Sequence, residues 1–385
     1  MKVDLHPKEG LMVNAFLVLF FIHASQTGVG VVGLPRIVYL AAKHDAWISV
    51  FLGGILSGIV LVMMVIMLKK YDSADLYGIQ VDVFGKWLGN AMNIFYMIYM
   101  ILSFFVILMN YIEIVQVWIF PDLPTWQISL ALILLTIYAV NGGIRIIVGV
   151  AFISVIGTIW LIFILIVPMQ YSDPKNLFPI LNTDLKHIIN GVYKTSLSLM
   201  GFELLMFLYP YVKDKKKVFI YSQMGNLLTT IIFTAITMVC ITFFAENGLA
   251  RTIWPVLSMF KIVRLPNLER FEFIAVSFWM LIILPNMCCY LWAASKGFSR
   301  IINWKQKKGF SRIINWKQKK GIWIIGILVW AGSFFIKARY QMNELTDFVA
   351  HLGFLTAFCY PILLSILVIA KKWYQGRKKK SAEVS

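Results

Sequence analysis

The sequence predicts an all-α membrane protein with about ten transmembrane helices, of which the first and the sixth are broken. Of the 385 residues, 60% are hydrophobic and 14% are charged, whereas soluble domains carry roughly 25% charged residues. Apolar runs of roughly 20 residues, enough to cross a bilayer, recur along the whole chain. Two of these runs contain glycines, a proline or a carboxylate near the middle, which are poor choices for an uninterrupted membrane helix. We therefore expect residues 1–385 to form a single transmembrane domain.

The formal net charge of +18 is explained by the position of the basic residues. About 25 of the 36 Lys and Arg residues lie at the N-terminus, in alternate predicted loops and at the C-terminus. This is the distribution of the positive-inside rule, and it predicts that both termini are cytoplasmic. No nucleic-acid partner is needed to account for the charge. The basic tail over 372–385 is expected to lie on anionic lipid headgroups, so membrane lipids are predicted partners.

The ten predicted spans follow from the apolar runs, with a cytoplasmic N-terminus over 1–10 and a bundle over 11–371. The fourth span is short and the ninth is marginal in hydropathy. A basic cytoplasmic loop over 296–320 contains a duplicated 12-mer, Gly297–Lys308 repeated as 309–320. The spans are placed at about 11–40, 46–68, 89–119, 127–141, 146–168, 187–211, 218–245, 271–295, 321–337 and 346–371.

The first break lies in the run from Gln26 to Pro35. Its glycines match the pattern G-x-G-x-x-G, but no βαβ unit surrounds them and no acidic residue follows at the required distance, which excludes a dinucleotide fingerprint. Two interpretations remain. The glycines let the chain leave the helix and expose amides to a carboxylate, or they form a tight helix-packing face. The first interpretation is the broken helix of a membrane transporter, and the second is a structural role alone.

The second break, in the sixth span, has the sequence Ser198-Leu199-Met200-Gly201-Phe202-Glu203. Two interrupted segments at corresponding positions of two halves indicate the substrate site of a secondary transporter. A carboxylate at mid-membrane costs roughly 2.5–3.5 kcal/mol on insertion scales, so we expect Glu203 to have a role. It could carry a proton, bind a substrate amine, or accept backbone hydrogen bonds that hold the break.

Polar residues on the third and first spans supply further candidates. Asn93, Tyr96, Ser103, Asn110 and Glu113 lie on roughly one face of the third helix, which we expect to face the bundle. Interhelical hydrogen bonding is the alternative role of this stripe. His23 lies one turn before the first break and is either a proton relay or a packed residue. Pro285 is expected to kink the eighth span.

Enzymatic chemistry is not predicted. No nucleophile has a partnered base, and His and carboxylate residues are too scattered for a hydrolytic or metal site. The four cysteines, at 240, 288, 289 and 359, lie in apolar segments without metal-ligand spacing. We therefore expect no metal and no cofactor.

An ordered set of short motifs resembles the spore germination B subunit, a permease-like member of the amino acid–polyamine–organocation superfamily. The resemblance covers essentially the whole chain apart from the duplicated loop. Its motifs are Leu34-Pro35 after the first break, Phe84-Gly85-Lys86-Trp87-Leu88-Gly89, Pro124-Thr125-Trp126, Gly201-Phe202-Glu203 and Leu268-Glu269-Arg270-Phe271-Glu272.

This resemblance implies a leucine-transporter-like fold with an inverted five-plus-five repeat. It also implies residence in the spore inner membrane, receptor A and C subunits as partners, and recognition of a small-molecule germinant, typically an amino acid. The implied pocket is lined by the two breaks and is closed by the third and eighth helices. Its residues are Thr27, Gly28, Gly30, Ser198, Leu199, Met200, Gly201 and Phe202 in the breaks, Phe105 and Val106 on the third helix, and Ser277 and Leu281 on the eighth.

Three functions are compatible with such a pocket: a germinant sensor that signals by conformational change, a proton- or sodium-coupled amino acid permease, and a structural subunit with a vestigial pocket. The fifth span contains no ionisable residue from Ile146 to Val167, and the eighth offers no obvious sodium-binding hydroxyl pair, which favours the sensor. Glu203, Glu113 and His23 are the candidates for a structural or coupling role. An Arg36–Asp347 pair is predicted as an outer gate that closes when ligand is bound.

Overall fold

The computed structural model describes residues 3–263, 270–303, 311–336 and 338–384, and over these ranges it is helical without strands. Several sequence-based expectations concern residues that lie outside these ranges. These residues are the ends of the chain at 1–2 and 385, the loop residue Arg264, the motif residues Leu268-Glu269, the centre of the duplicated loop at 304–310, and the end of the ninth span at 337.

The first half of the chain forms eight α-helices. They are α1 Leu17–Gln26, α2 Leu34–Ala42, α3 Ala46–Leu68, α4 Leu76–Trp118, α5 Thr125–Asn141, α6 Ile144–Thr158, α7 Leu161–Ile164 and α8 Ile166–Met169. Asp75 begins α4 as its cap, because its carboxylate accepts a hydrogen bond from the backbone N–H of Gly78 at 3.0 Å. At Gly85 the backbone of α4 leaves the helical conformation with a φ of 78°, which glycine adopts without strain.

The described residues of the second half form eight more. They are α9 Leu185–Ser198, α10 Leu205–Leu208, α11 Val218–Arg251, α12 Pro255–Phe260, α13 Phe271–Asn303, α14 Ser311–Gly332, α15 Arg339–Phe354 and α16 Tyr360–Val384. A π-helical turn over Leu355–Cys359 separates α15 from α16. Pro285 lies inside α13, and the short helix α12, which lies between α11 and α13, is buried over most of its length.

Within the described residues, six stretches are long and apolar enough to cross a membrane, so the chain is a multi-pass membrane protein. They are Leu34–Leu68, Leu76–Trp118, Ile144–Met169, Lys215–Arg251, Phe271–Ile301 and Arg339–Gln375. Two shorter apolar helices, α1 and α5, accompany them. The count of ten spans therefore stays a prediction. One reason is that the predicted first and sixth spans are each divided into helices that are too short to cross a membrane alone.

Both described ends of the chain lie at the same end of the bundle, which we call the termini end. Near the N-terminus, the backbone N–H of Leu5 donates to the oxygen of Ser73 at 2.9 Å. Near the C-terminus, Lys371 forms an ion pair with Asp82 at 3.1 Å. The N-terminal segment is further held by Val13, which forms a parallel bridge with Val212 at the end of the predicted sixth span.

Most of the core is one continuous apolar cluster along the helix contacts, and a small second cluster comprises Ala24, Ala151 and Val155. The long helix α13 packs along α4 and α6, while α11 packs along α1 and α3. Small residues permit the closest of these contacts: a Cβ at Gly54 of α3 would overlap Thr230 of α11, and one at Gly53 would overlap Thr195 of α9. This packing brings α1, α9 and α13 together around the points where α1 and α9 end.

Candidate functional site

The first helix ends in the middle of its predicted span. The α-helix stops at Gln26, residues Val29–Val32 form a 3-10 turn, and α2 begins at Leu34 with Pro35 in its first turn. Gly28 has a φ of −122°, which any residue can adopt, so the predicted need for glycine torsions at this position is wrong. Gly30 is exposed, and a Cβ there would lie 3.3 Å from the Ser198 hydroxyl. Small size, and not backbone freedom, is what Gly30 contributes.

The sixth predicted span is interrupted at Gly201. Helix α9 ends at Ser198, a 3-10 turn covers Phe202–Leu204, and α10 begins at Leu205. Gly201 has a φ of 114°, in the left-handed region where a side chain is strained. A Cβ at this glycine would also overlap the backbone oxygen of Ser25 on α1. The two interruptions therefore touch, and Gly201 is the position where only glycine fits.

Glu203 holds the sixth interruption. Its carboxylate is fully buried and accepts three hydrogen bonds: from the backbone N–H of Gly201 at 2.7 Å, and from the hydroxyls of Tyr99 and Tyr290, each at 3.1 Å. Glu203 could carry a proton, bind a substrate amine or hold the break by accepting hydrogen bonds. The geometry matches the third role, because one donor lies in the turn itself and the other two lie on the adjacent helices α4 and α13. The two tyrosines also join α4 and α13 to the sixth segment.

Asn286 of α13 holds the first interruption. Its side-chain amide donates to the backbone oxygen of Ala24 at 2.8 Å and to that of Thr27 at 2.9 Å. Carbonyls released at a helix end must find donors when they lie at membrane depth. Asn286 supplies these donors as a neutral group.

A second polar side chain bridges the two interruptions directly. The amide nitrogen of Gln26 donates to the backbone oxygen of Leu199 at 3.3 Å and to the side-chain oxygen of Asn226 on α11 at 2.9 Å. The other amide atom of Gln26, Oε1, and the hydroxyl of Thr27 are buried without a hydrogen-bond partner among the described residues. Unpaired buried polar atoms are uncommon in native proteins. The site thus retains hydrogen-bonding capacity that a ligand or water could use.

The space beside the first interruption is small. A cavity of about 60 Å³ is lined by His23, Thr27 and Trp279 among apolar residues of α6, α11 and α12. This volume accommodates a few water molecules at most. His23 forms a hydrogen bond with the hydroxyl of Thr229 at 2.9 Å, which matches the packed-residue interpretation. An amino acid fits here only after side chains or helices move.

Several predicted pocket residues lie elsewhere. Phe105 contacts Gly332 of α14, and Ser277 is exposed with its hydroxyl bonded to Phe273 of its own helix. Leu281 faces α6, where its backbone oxygen accepts a hydrogen bond from Ser154 at 2.5 Å. The reason is helix register: the faces of α4 and α13 that meet the interruptions carry other residues. Those residues are Tyr99 on α4 and Asn286 and Tyr290 on α13.

The remaining predicted contacts pack around the site without lining it. Met200 packs against Gly353 on α15, and the ring of Phe202 meets that of Phe358 in the π-helical turn at 5.1 Å. Val106 is buried on α4. Of the polar stripe on α4, Asn93, Tyr96 and Ser103 are buried, and the Tyr96 hydroxyl donates to the Thr356 backbone oxygen at 2.7 Å. This hydrogen bond is the interhelical role weighed for the stripe.

Three other charged candidates, Glu113, Arg36 and Asp347, belong to the end of the bundle opposite the termini end. Glu113 forms an ion pair with Arg339 of α15 at 3.2 Å, away from both interruptions. Arg36 donates to the backbone oxygen of Ala250 at 2.9 Å. Asp347 is exposed and, among the described residues, makes no ion pair with Arg36. The outer gate, which was expected in the ligand-bound state, stays a prediction.

The residues that sequence reasoning missed are Gln26, Tyr99, Asn226, Asn286 and Tyr290. All are polar side chains within apolar helices, and all are buried. Asn286 carried a signal, because it directly follows Pro285 in an apolar span. The two tyrosines carried none, since a tyrosine in a membrane helix is compatible with any orientation.

The fold and the site define a transporter-like membrane protein. The structure resembles the substrate-bound outward-open state of a Na⁺-coupled sialic acid symporter, with a TM-score of 0.70. The match covers 91% of this chain and 79% of the symporter chain at 13% sequence identity. At this identity the likeness establishes the fold alone.

The family is more specific than the fold. Residues 12–338 match the sequence pattern of the spore germination protein family. The chain is 35% identical to spore germination protein GerQB of Bacillus cereus over 93% of this chain and 96% of that protein. It is 25% identical to spore germination protein A2 of Bacillus subtilis (strain 168), over 94% of this chain and 97% of the relative. The chain belongs to the spore germination protein family, which confirms the resemblance inferred from its motifs.

Proposed function

We propose that this chain is the germinant-sensing subunit of a spore germination receptor. A small molecule, most readily an amino acid, binds between the interruptions after Gln26 and Ser198, and its binding shifts the equilibrium between two conformations. The interruptions are then the breaks of helices 1 and 6 in a leucine-transporter-like five-plus-five fold. The receptor's A and C subunits read the change, in a spore inner membrane with both termini of this chain in the cytoplasm.

The observation that carries this proposal is the contact between the two interruptions. Gly201 lies against the backbone of Ser25, and Gln26 bonds to Leu199. The hydroxyl of Thr27 and Oε1 of Gln26 remain without partners in the described structure. An α-amino acid offers an ammonium and a carboxylate to such groups, and the membership of a germination family supplies the biological setting.

The small cavity supports a conformational mechanism. Since about 60 Å³ beside the first interruption is too small for an amino acid, the binding-competent state differs from the one described here. A ligand shifts such an equilibrium by its difference in affinity for the two states. A difference of about 3 kcal/mol changes the population ratio more than 100-fold, which is enough for a signal.

The groups that hold the two interruptions favour sensing over coupled transport. A sodium-coupled transporter needs a cation at oxygen ligands, and a proton-coupled one needs a titratable group. Here the oxygens of Ala24 and Thr27 already accept from the neutral amide of Asn286. Glu203 is occupied by three donors. The alternative function is a proton- or sodium-coupled amino acid permease with the same pocket.

The first experiment identifies the germinant. Spores lacking this chain are compared with wild-type spores on a panel of amino acids, sugars and nucleosides, and germination is followed by loss of optical density. We expect loss of the response to one amino acid or a few, with responses to unrelated germinants retained. A strain that still responds to every compound as wild type does would contradict the proposal.

The second experiment separates the sensor from the permease. The purified chain in liposomes is expected to bind the germinant identified above without accumulating it under a proton or sodium gradient. A variant with Thr27→Val, which removes the unpartnered hydroxyl without adding bulk, serves as the binding-deficient control. Gradient-driven uptake that Glu203→Gln eliminates would establish the permease instead.

A further inference from the structure

A cavity of about 410 Å³ lies at the end of the bundle opposite the termini end, far larger than the space beside the first interruption. It is open to its surroundings and is bordered by the far end of α4, the start of α5, the end of α14 and the start of α15. Ligand pockets are typically 300–1,000 Å³. The size of the cavity therefore suits one small organic molecule.

The described residues that line the cavity include one pair of opposite charges. Glu113 Oε1 lies 3.2 Å from Arg339 Nε, and the two side chains are 21% and 44% exposed. Within the described ranges, neither group has another ion-pair partner. The Arg339 guanidinium also lies over the Trp254 ring, 4.9 Å from its centroid, which holds the cation at the cavity wall. Arginine has five N–H donors, and the pair uses only the edge at Nε.

The rest of the wall is mainly apolar. Met109, Ile112 and Met342 line it, and all three are buried. Methionine side chains adapt to ligands of different shape because they are unbranched and flexible. Gln116 adds a polar group, but its amide already donates to Leu123 at 2.9 Å and to Thr125 at 3.1 Å. The cavity thus offers one acid, one base and an adaptable apolar surface.

We propose that this cavity is a second binding site, specific for zwitterionic amino acids with an apolar side chain. The ligand carboxylate binds the guanidinium of Arg339, its ammonium binds the carboxylate of Glu113, and its side chain lies against Met109, Ile112 and Met342. The proposal does not depend on the site between the two interruptions, because the two sites share no residue.

Charge compensation gives the site its selectivity. A zwitterion inserted between Glu113 and Arg339 replaces one ion pair with two, so each charge keeps a partner. A ligand with only one charge leaves one protein charge without its partner, which is costly in a partly buried site. A neutral sugar separates the pair and compensates neither charge. The cavity is therefore expected to discriminate by ligand charge before it discriminates by shape.

Protection of a cysteine tests this directly. The purified full-length chain with Cys359→Ser, which removes its one exposed cysteine among the described residues, carries Thr125→Cys in the cavity wall. Its labelling by a methanethiosulfonate reagent is measured with L-alanine, L-leucine or L-phenylalanine. Leucinamide lacks the carboxylate and N-acetylleucine lacks the ammonium. The matched control is Phe335→Cys, an exposed position at the same end that does not line the cavity.

We expect at least one of the three amino acids to slow labelling at position 125 in a saturable manner, with no effect at position 335. Leucinamide and N-acetylleucine should not protect. Glu113→Gln should raise the concentration needed for protection roughly tenfold to hundredfold, as for the loss of a hydrogen bond to a charged group. Absence of protection by all three amino acids, or equal protection after Glu113→Gln, overturns the proposal.

Equilibrium dialysis of the chain without the cysteine substitution provides an independent measurement. With the protecting amino acid in radiolabelled form, Glu113→Gln should remove one bound ligand per chain. Thr27→Val should leave that ligand bound, since it removes only the unpartnered hydroxyl of the other site. Loss of this ligand through Thr27→Val but not through Glu113→Gln contradicts the second site and leaves the proposed function standing.

Discussion

The side-chain amide of Asn286 donates a hydrogen bond to the backbone oxygen of Thr27 at 2.9 Å, joining α13 to the point where α1 has just ended. The same amide reaches Ala24 at 2.8 Å. Two carbonyls three residues apart, both turned toward one donor, form a site that a small cation could also occupy. In this protein the uncharged amide of Asn286 occupies it, so we expect the first interruption to hold without an ion.

Replacement of Asn286 by aspartate should make the protein depend on sodium. A carboxylate beside the oxygens of Ala24 and Thr27 has no proton to donate when ionised, but together they offer oxygen ligands to a cation. We expect the melting temperature of Asn286→Asp to be lower in choline chloride and to recover in sodium chloride at equal ionic strength. The wild-type protein should melt at the same temperature in both salts. A wild-type protein stabilised by sodium would contradict this view of Asn286.

Removal of the amide should cost more than removal of another buried asparagine. Asn286→Leu leaves two carbonyls without donors, at about 1–3 kcal/mol each, at the site where we propose the ligand binds. We expect lower abundance and a lost germinant response. Asn93→Leu is the control, because Asn93 bonds at 3.3 Å to Tyr77, outside the interruptions. It should lower stability while the response per folded molecule persists; equal loss of response in both variants would argue against a local role.

Glu203 should tolerate glutamine and not leucine. Glutamine keeps one oxygen to accept from Gly201, and its amide nitrogen can donate to the hydroxyls of Tyr99 and Tyr290, which accept as well as donate. Leucine leaves three donors buried without an acceptor, each costing about 1–3 kcal/mol. We expect Glu203→Gln to retain much of the germination response and Glu203→Leu to abolish it, measured against protein abundance. A complete loss in Glu203→Gln would favour a proton-carrying role.

The two glycines of the interruptions should respond differently to alanine. At Gly201 a Cβ meets both a positive φ, costing roughly 1–2 kcal/mol, and the backbone of Ser25. At Gly28 the φ is negative and the nearest atom, Asn286 Nδ2, is 3.9 Å away. We expect Gly201→Ala to destabilise the protein and impair germination, and Gly28→Ala to change stability by less than about 0.5 kcal/mol. Thermal melting of both purified variants decides this, and equal effects would contradict it.

Arg36 and Asp347 should behave independently without ligand. Arg36 donates to Ala250, so Arg36→Glu should destabilise the ligand-free protein, whereas exposed Asp347→Arg should change its stability by less than about 0.5 kcal/mol. If they pair once ligand is bound, each reversal impairs germination and the double reversal partly restores it. Germination of the three strains is the measurement, and no recovery in the double variant would exclude the pair.

The amino-acid sequence revealed where the helices are interrupted but not which side chains hold the interruptions. Glycines, Pro35 and Glu203 stand out in apolar runs because such residues are costly in lipid unless they serve a purpose. The contacting side chains depend on how each helix is rotated about its axis, and this rotation is set by packing against its neighbours. In an apolar helix that is buried on several sides, composition indicates the rotation poorly.

The eighth span illustrates this limit. Ser277 and Leu281 were expected to close the pocket, yet Asn286 and Tyr290 contact the interruptions instead. Asn286 lies more than one helical turn beyond Leu281 along α13. Phe105 likewise lies more than one turn beyond Tyr99 along α4, and it faces Gly332 of α14. Position along a helix and rotation about it are separate unknowns, and a single apolar sequence constrains neither closely.

The bridge between Val13 and Val212 has a mechanical consequence. The N–H of Val13 donates to the oxygen of Tyr211 at 2.8 Å, and the N–H of Lys213 donates to the oxygen of Val13 at 3.0 Å. At a second point the side-chain amide of Gln26 donates a hydrogen bond to the backbone oxygen of Leu199 at 3.3 Å, which joins the same two segments again. Because hydrogen bonds join the segments at two separate points, the segments cannot tilt separately without breaking these bonds. We therefore expect the two segments to move together, because a displacement of one must carry the other or break these bonds.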